Sequence, residues 1–258
     1  MWTNLLLITE AAAIAAAKWI GRGDEQNADQ AAVNAMRQTF NLLDIDGTIV
    51  IGEGERDEAP MLFIGEKVGN TRDGTSPKFD IAVDPLEGTT ICASASQGAM
   101  SVLAIAPENG LIHAPDIYMD KIAIGPELSL NGFVLDPYAP INTTLELLAK
   151  TKNIPIEDVV VAILKRDRNQ EYINQVRSAG AKVMLLNDGD VAAVIATNIP
   201  NSGIDMYLGI GGAPEGVLAA VAIKGLGGQM SSKLIYLGDM ERERAEKMGI
   251  NPQKEYYN

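Results

Sequence analysis

Between residues 159 and 224 the sequence alternates short apolar runs with helical patterns, and few architectures accept that order. Val159 to Leu164 reads as a strand, Gln170 to Ala179 as a helix, and Lys182 to Leu186 as a strand. Val191 to Thr197 then reads as a helix, Asp205 to Ile210 as a strand, and Pro214 to Lys224 as a helix. Strands separated by single helices imply an α/β layer with a largely parallel sheet, since parallel neighbours need crossover connections. The first half is organised differently. Ala-rich Leu5 to Ile20 predicts a helix stopped at Gly21-Arg22-Gly23. Asp24 or Asn27 caps a second helix, in which Ala28, Ala32, Ala35, Met36 and Phe40 form an apolar stripe. Strands follow at Thr48 to Ile51, at Phe79 to Val83, where Asp84-Pro85 halts the run, and at Ala99 to Ala106. Segment 115–150, rich in Pro, Asn and Leu, reads as a linker, dividing the chain into an α+β half, 1–125, and an α/β half, 126–258. Met240 to Asn258 reads as a short charged helix and a polar end.

Composition narrows the chemistry. The 258 residues are 47% apolar and 21% charged, a globular balance with room for a large core. Twenty-one Lys and Arg against 34 Asp and Glu give a net charge of −13. No cation excess is available to neutralise a phosphate backbone, so neither a nucleic acid nor an anionic membrane is an expected partner. A small polyanion remains accessible if metal ions bridge it to the protein. The single Cys92 excludes an internal disulfide and a Cys-based zinc cluster, and the single His113 leaves one imidazole for any triad. Neither has a partner recognisable in the sequence, and each reads as packed or partly buried. Carboxylates are what is left for chemistry. The N-terminal apolar runs are interrupted by Glu10 and Lys18 with no basic region before them, and no stretch has the roughly 20 apolar residues of a membrane span. A soluble, cytoplasmic protein is the expectation.

Three strand ends place acids beside glycine, where α/β sheets gather ligands. They are Gly52-Glu53-Gly54-Glu55-Arg56-Asp57-Glu58, Asp84-Pro85-Leu86-Glu87-Gly88-Thr89, and Gly209-Ile210-Gly211-Gly212-Ala213-Pro214-Glu215. Asp84 and Glu87 form the sharpest pair. Their oxygen donors suit Mg2+ or Mn2+, Gly88 and Thr89 add backbone N–H groups and a hydroxyl, and a helix starting there aims N–H groups at a phosphate. A turn whose acids merely cap that helix fits the same residues. The acids from Glu53 to Glu58 equally fit a solvated loop, and Glu215 fits a carboxylate placed by the helix dipole behind Pro214. The Gly209–Gly212 run lacks the third glycine of a dinucleotide fingerprint. Arg166 and Arg168 end a strand and either grip a phosphate or stand as surface charges. Asp188-Gly189-Asp190 either accepts bonds from sugar hydroxyls or makes a turn and cap.

Leu43-Asp44-Ile45-Asp46-Gly47-Thr48 also matches the opening motif of haloacid-dehalogenase-type phosphatases, in which the first Asp is the nucleophile. That motif follows a buried strand, whereas Ala31 to Leu42 reads as a helix, so the match is rejected. A broader match carries more weight. Lys18 to Asp24, Ala28 to Val33, IDGTIVIGEGERDEAPML (45–62), DIAVDPLEGTT (80–90), APDIYM (114–119), NDGDVAA (187–193) and GIGGAPEGV (209–217) together resemble the class II fructose-1,6-bisphosphatases, including the bifunctional type that also accepts sedoheptulose 1,7-bisphosphate. The resemblance implies a layered α/β/α/β fold of the lithium-sensitive-phosphatase superfamily, hydrolysis of the sugar 1-phosphate dependent on two or more Mg2+ or Mn2+ ions, and a homo-oligomer, dimer or tetramer. It makes Asp29 and Glu53 ligands of one metal, and Asp84, Glu87 and Glu215 ligands of the others. Thr89, with Gly88, then positions the attacking water. Glu87, Gly88, Thr89, Tyr118, Arg166, Asp167, Arg168, Asp188, Gly189, Asp190 and Gly212 fall where that family holds the sugar bisphosphate. Two departures stand out. Arg166-Asp167-Arg168 replaces a basic-Pro-Arg sequence, and the family's strand-rich segment after the equivalent of Gly228 has no counterpart here. A non-catalytic, shortened relative acting as a binding or regulatory subunit is the alternative expectation.

Overall fold

The computed structural model describes residues 2–54, 61–71, 76–254 and 256–258, so Glu55, Arg56, Asp57 and Glu58 of the acidic loop lie outside the described residues. The chain forms two compact units, Met1–Ala114 and Pro115–Asn258.

In the first unit, α1 (Trp2–Ala17) and α2 (Glu25–Phe40) precede β1 (Asp46–Ile51), β2 (Lys67–Val68), β3 (Lys78–Glu87), α3 (Thr89–Ala93) and β4 (Met100–Pro107). Asp24 is the cap of α2, its Oδ1 accepting the Asn27 N–H at 3.0 Å. The apolar stripe read from the sequence is buried: Ala28, Ala32, Met36 and Phe40 pack with Leu5, Ile8 and Ala12 of α1 against Ile49, Ile81 and Val83. Burying a Met or Phe side chain there stabilises the unit by about 1.5–3 kcal/mol each. The sheet runs β2-β1-β3-β4, with β1 and β3 parallel and the outer pairs antiparallel. The run does not halt at Asp84-Pro85 as expected. β3 passes through it to Glu87 by a register irregularity against β4, which accommodates a proline lacking a ladder donor.

The second unit holds β5 (Tyr118–Ile124), α4 (Pro126–Leu130), α5 (Ile141–Lys152), β6 (Val160–Leu164), α6 (Gln170–Ser178), β7 (Lys182–Leu186), α7 (Asp190–Ala196), β8 (Met206–Gly212), α8 (Ala213–Leu226), β9 (Gln229–Ile235) and α9 (Asp239–Lys247). The sheet order is β7-β6-β8-β5-β9. Only β6–β7 and β6–β8 are parallel; β5 runs antiparallel to both β8 and β9, so the sheet is mixed and not largely parallel. The difference comes from β5, which lies within the segment read as a linker. Segment 115–150 instead supplies a central strand and two helices, and the compact units divide at 114/115, not at 125/126. Strand alternation builds two cores. Ile122, Ile124, Val161, Ile163, Met206 and Leu208 face α5 and α6, while Ala123, Ala162 and Tyr207 face α7 and α8. Both units thus combine a sheet with packed helices, the mixed α/β content expected. No helix among the described residues is long and apolar enough to cross a membrane.

Candidate active site

In the first unit, β1 ends at Ile51 and delivers Glu53 two residues later. The Glu53 N–H donates to the Leu62 carbonyl at 3.1 Å, and Ile64 N–H donates to the Gly54 carbonyl at 2.9 Å, so the acid sits at a pinned loop start. A Cβ at Gly52 would collide with the Leu62 carbonyl, which is why glycine stands there. The loop is fastened again by Glu66, whose carboxylate accepts the Leu62 N–H and pairs with Arg37 of α2. The same helix carries Asp29, half-buried one residue after the buried Ala28. Burial, with the Asp29 carboxylate adding to it, pushes Glu53 up to about 7, and burial also raises Asp29. Two desolvated carboxyls, one of them raised further by the other, form an arrangement a divalent cation relieves.

On β3 the oxygens of Asp84 and Glu87 lie within 4.8 Å of one another, Asp84 half-buried and Glu87 buried. Asp84 Oδ1 also accepts the Leu86 N–H at 3.0 Å across the proline. Gly88 follows with φ +81, a left-handed step that glycine takes without cost, and Thr89 opens α3. That helix has five residues and begins directly after Gly88, so the Gly88–Thr89 backbone and the Thr89 hydroxyl stand at its start. The haloacid-dehalogenase geometry is absent: Asp44 is exposed and precedes β1, at the end of the strand opposite to where ligands gather. His113, whose partner the sequence does not reveal, has its Nε2 3.3 Å from Oδ2 of the buried Asp80. Cys92 is buried with its Sγ 3.7 Å from the Ala16 carbonyl.

In the second unit β8 runs directly into α8, placing Glu215 in the first turn behind Pro214. Its Oε2 is buried and has no hydrogen-bond partner among the described residues. Burial raises the Glu215 pKa, Lys121 opposes the rise, and Asp190 and Asp116 add to it. An orphaned carboxylate oxygen in the interior costs several kcal/mol unless a cation meets it, so this donor fits a divalent ion. Arg168 lies with its guanidinium 4.5 Å from the Tyr118 ring centroid, and its Nε donates to the Ile210 carbonyl at 3.0 Å. Arg166 Nη1 donates to the Asn187 carbonyl at 2.6 Å, and Nη2 lies 3.5 Å from Asp188 Oδ1. Asp167 begins a 3₁₀ turn to Asn169, and Gly189, φ +79, leads into Asp190 at the start of α7. Both arginines are thus oriented by backbone carbonyls, Arg166 from an exposed position and Arg168 from a half-buried one.

Three residues escaped the sequence reading: Lys121, Arg37 and Glu66. Lys121 is 1% exposed, and its Nζ donates to Asp190 Oδ2 at 2.5 Å and to the Gly212 carbonyl at 3.0 Å. A lone lysine between Asp120 and Ile122 gives no signal of its own. The glycines of GIGGAPEG carry the trace of it, because a Cβ at Gly211 would collide with Asp190 Oδ2 and lie 2.9 Å from Lys121 Nζ.

This mixed α/β protein with acid-lined strand ends matches, over residues 1–258, the family described as "Bacterial fructose-1,6-bisphosphatase, glpX-encoded". The chain belongs to that family. It is 44% identical over 247 residues to fructose-1,6-bisphosphatase 1 class 2 of Escherichia coli (strain K12), covering 96% of this chain and 72% of that protein. Fructose-1,6-bisphosphatases class 2 of Escherichia coli O6:H1 and Shigella flexneri match at the same identity and coverage.

Proposed function

We propose that the chain hydrolyses the 1-phosphate of fructose 1,6-bisphosphate to give fructose 6-phosphate and inorganic phosphate. The observation that carries this is the 44% identity, spread over 96% of the chain, to an Escherichia coli protein of that name. The carboxylates that the chemistry requires are all present, which favours an enzyme over a binding or regulatory subunit. Asp29 and Glu53 hold one divalent ion, and Asp84, Glu87 and Glu215 serve the others, Mg2+ or Mn2+ by the hardness of an all-oxygen donor set. When bound, such ions polarise the phosphoryl oxygens and neutralise charge on the leaving group. The protein's own part is positioning, which dominates when the phosphoryl transition state is loose. Thr89 and the Gly88 backbone orient the attacking water. Tyr118, Arg166, Arg168, Asp188, Asp190 and Gly212 bind the rest of the sugar phosphate, with the guanidinium of Arg168 already stacked on Tyr118. Asp167 contributes through the turn that carries the two arginines. The exposed apolar side chains of α1, Leu6, Leu7 and Ile14, support a homo-oligomer.

The test is phosphate release from fructose 1,6-bisphosphate and from sedoheptulose 1,7-bisphosphate, with Mn2+, with Mg2+ and with chelator. Metal-dependent release from the fructose ester is expected. Stoichiometric metal binding without turnover on either ester would return the chain to the non-catalytic reading.

A further inference from the structure

Lys121 stands in β5, opposite Gly209 of β8 and Ser232 of β9, with the buried apolar Ile122, Ala123 and Ile124 following it. Burying an ammonium here is expensive; a well-packed apolar side chain serves the core as well or better. The ammonium donates to two acceptors, Asp190 Oδ2 at 2.5 Å and the Gly212 carbonyl at 3.0 Å. Tyr207, 0% exposed, donates its hydroxyl to the same Asp190 oxygen at 3.0 Å from the neighbouring strand. Room for this cluster is cut into the sequence: a Cβ at Gly216 would collide with Met119 and lie 3.2 Å from Lys121 Cδ, and Gly211 is constrained as described above. Two donors on one carboxylate oxygen stop rotation of that carboxylate, and the third bond fixes the direction of the Gly212 peptide.

We propose that Lys121 and Tyr207 are positioning residues: they lock the Asp190 carboxylate, and Lys121 also the Gly212 carbonyl, in the orientation that receives the sugar phosphate. The proposal rests on the substrate reading above. Neither side chain touches the reacting phosphoryl group. Their loss therefore weakens ground-state and transition-state binding together and raises KM more than it lowers kcat.

The experiment compares Lys121→Met and Tyr207→Phe with the wild type. It reads KM and kcat for fructose 1,6-bisphosphate, the Kd of fructose 6-phosphate by calorimetry on Mn2+-saturated protein, and folding by circular dichroism. The expected result is a KM and a Kd raised about 10-fold or more in Lys121→Met and about 3-fold in Tyr207→Phe, with kcat within about 3-fold in both. A folded Lys121→Met variant whose Kd stays within about two-fold of wild type overturns the proposal. Should Lys121→Met fail to fold, Tyr207→Phe decides alone, since it strands no charge, and an unchanged Kd there overturns the proposal equally. Wild-type protein that binds no fructose 6-phosphate overturns the substrate reading instead, a result distinct from wild-type binding that the variants retain.

Discussion

Glu53 is where burial and charge meet most sharply, and its two consequences are separable. As the metal ligand proposed above, it would be needed for turnover: Glu53→Ala, like Asp84→Ala, is expected to lower kcat by about 100-fold or more with unchanged circular dichroism. Near-normal turnover in both variants would refute the ligand assignment. As a desolvated carboxyl in the metal-free protein, it also makes stability depend on pH. Its folded value of about 7 lies above the ordinary 4.5, so the folded chain binds the extra proton between those values. Its contribution is therefore complete below about 4.5 and is lost as the pH rises through 7. The metal-free wild type is expected to lose urea midpoint relative to Glu53→Gln between pH 5 and pH 8, and saturating Mn2+ to restore it, because an ion that binds only the folded state stabilises it. A wild-type-minus-variant difference that grows with pH would contradict this.

The loop carrying Glu53 is held by an element-scale device, the Arg37–Glu66 pair that ties α2 to the Leu62 backbone. Arg37→Met leaves Glu66 partly buried without its cation. The expected cost is about 2 kcal/mol in urea unfolding, together with weaker Mn2+ binding measured by calorimetry, while Arg37→Lys recovers part of each. Unfolding and Mn2+ affinity both unchanged would show the pair to be incidental. No pattern announced this pair, since Arg37 and Glu66 lie 29 residues apart and neither belongs to a motif. The stripe from Ala28 to Phe40 declared α2, and the strand–helix alternation after residue 159 declared β6 through α8, because local periodicity encodes which face is buried. β5 was lost because Pro115 and the Pro- and Asn-rich residues after Ile124 surround it with loop-like composition. Its antiparallel partners, β8 and β9, are far away in sequence. The acids of the site were legible for a different reason: Asp84-Pro85-Leu86-Glu87-Gly88 is a local solution to holding two carboxylates beside a turn. Lys121 was not, because its purpose lies in Asp190, 69 residues on.

At the scale of the whole molecule, a net charge of −13 is set against a substrate class that is itself a dianion or more. Chains that attract anions by their overall field lose association rate steeply as salt screens that field. This chain has the opposite sign, so the long-range term is repulsive, and attraction is confined to what the proposed metal ligands and the proposed phosphate-binding Arg166–Arg168 turn provide at contact. Screening should then remove an obstacle. With Mn2+ saturating, kcat/KM for fructose 1,6-bisphosphate is expected to hold or rise modestly as KCl goes from about 20 to about 150 mM, a range over which the Debye length shrinks to about 8 Å. Initial rates at subsaturating substrate measure this directly. A several-fold fall over that range, with metal occupancy constant, would mean that long-range electrostatic attraction guides the substrate, which the charge balance of this sequence does not provide.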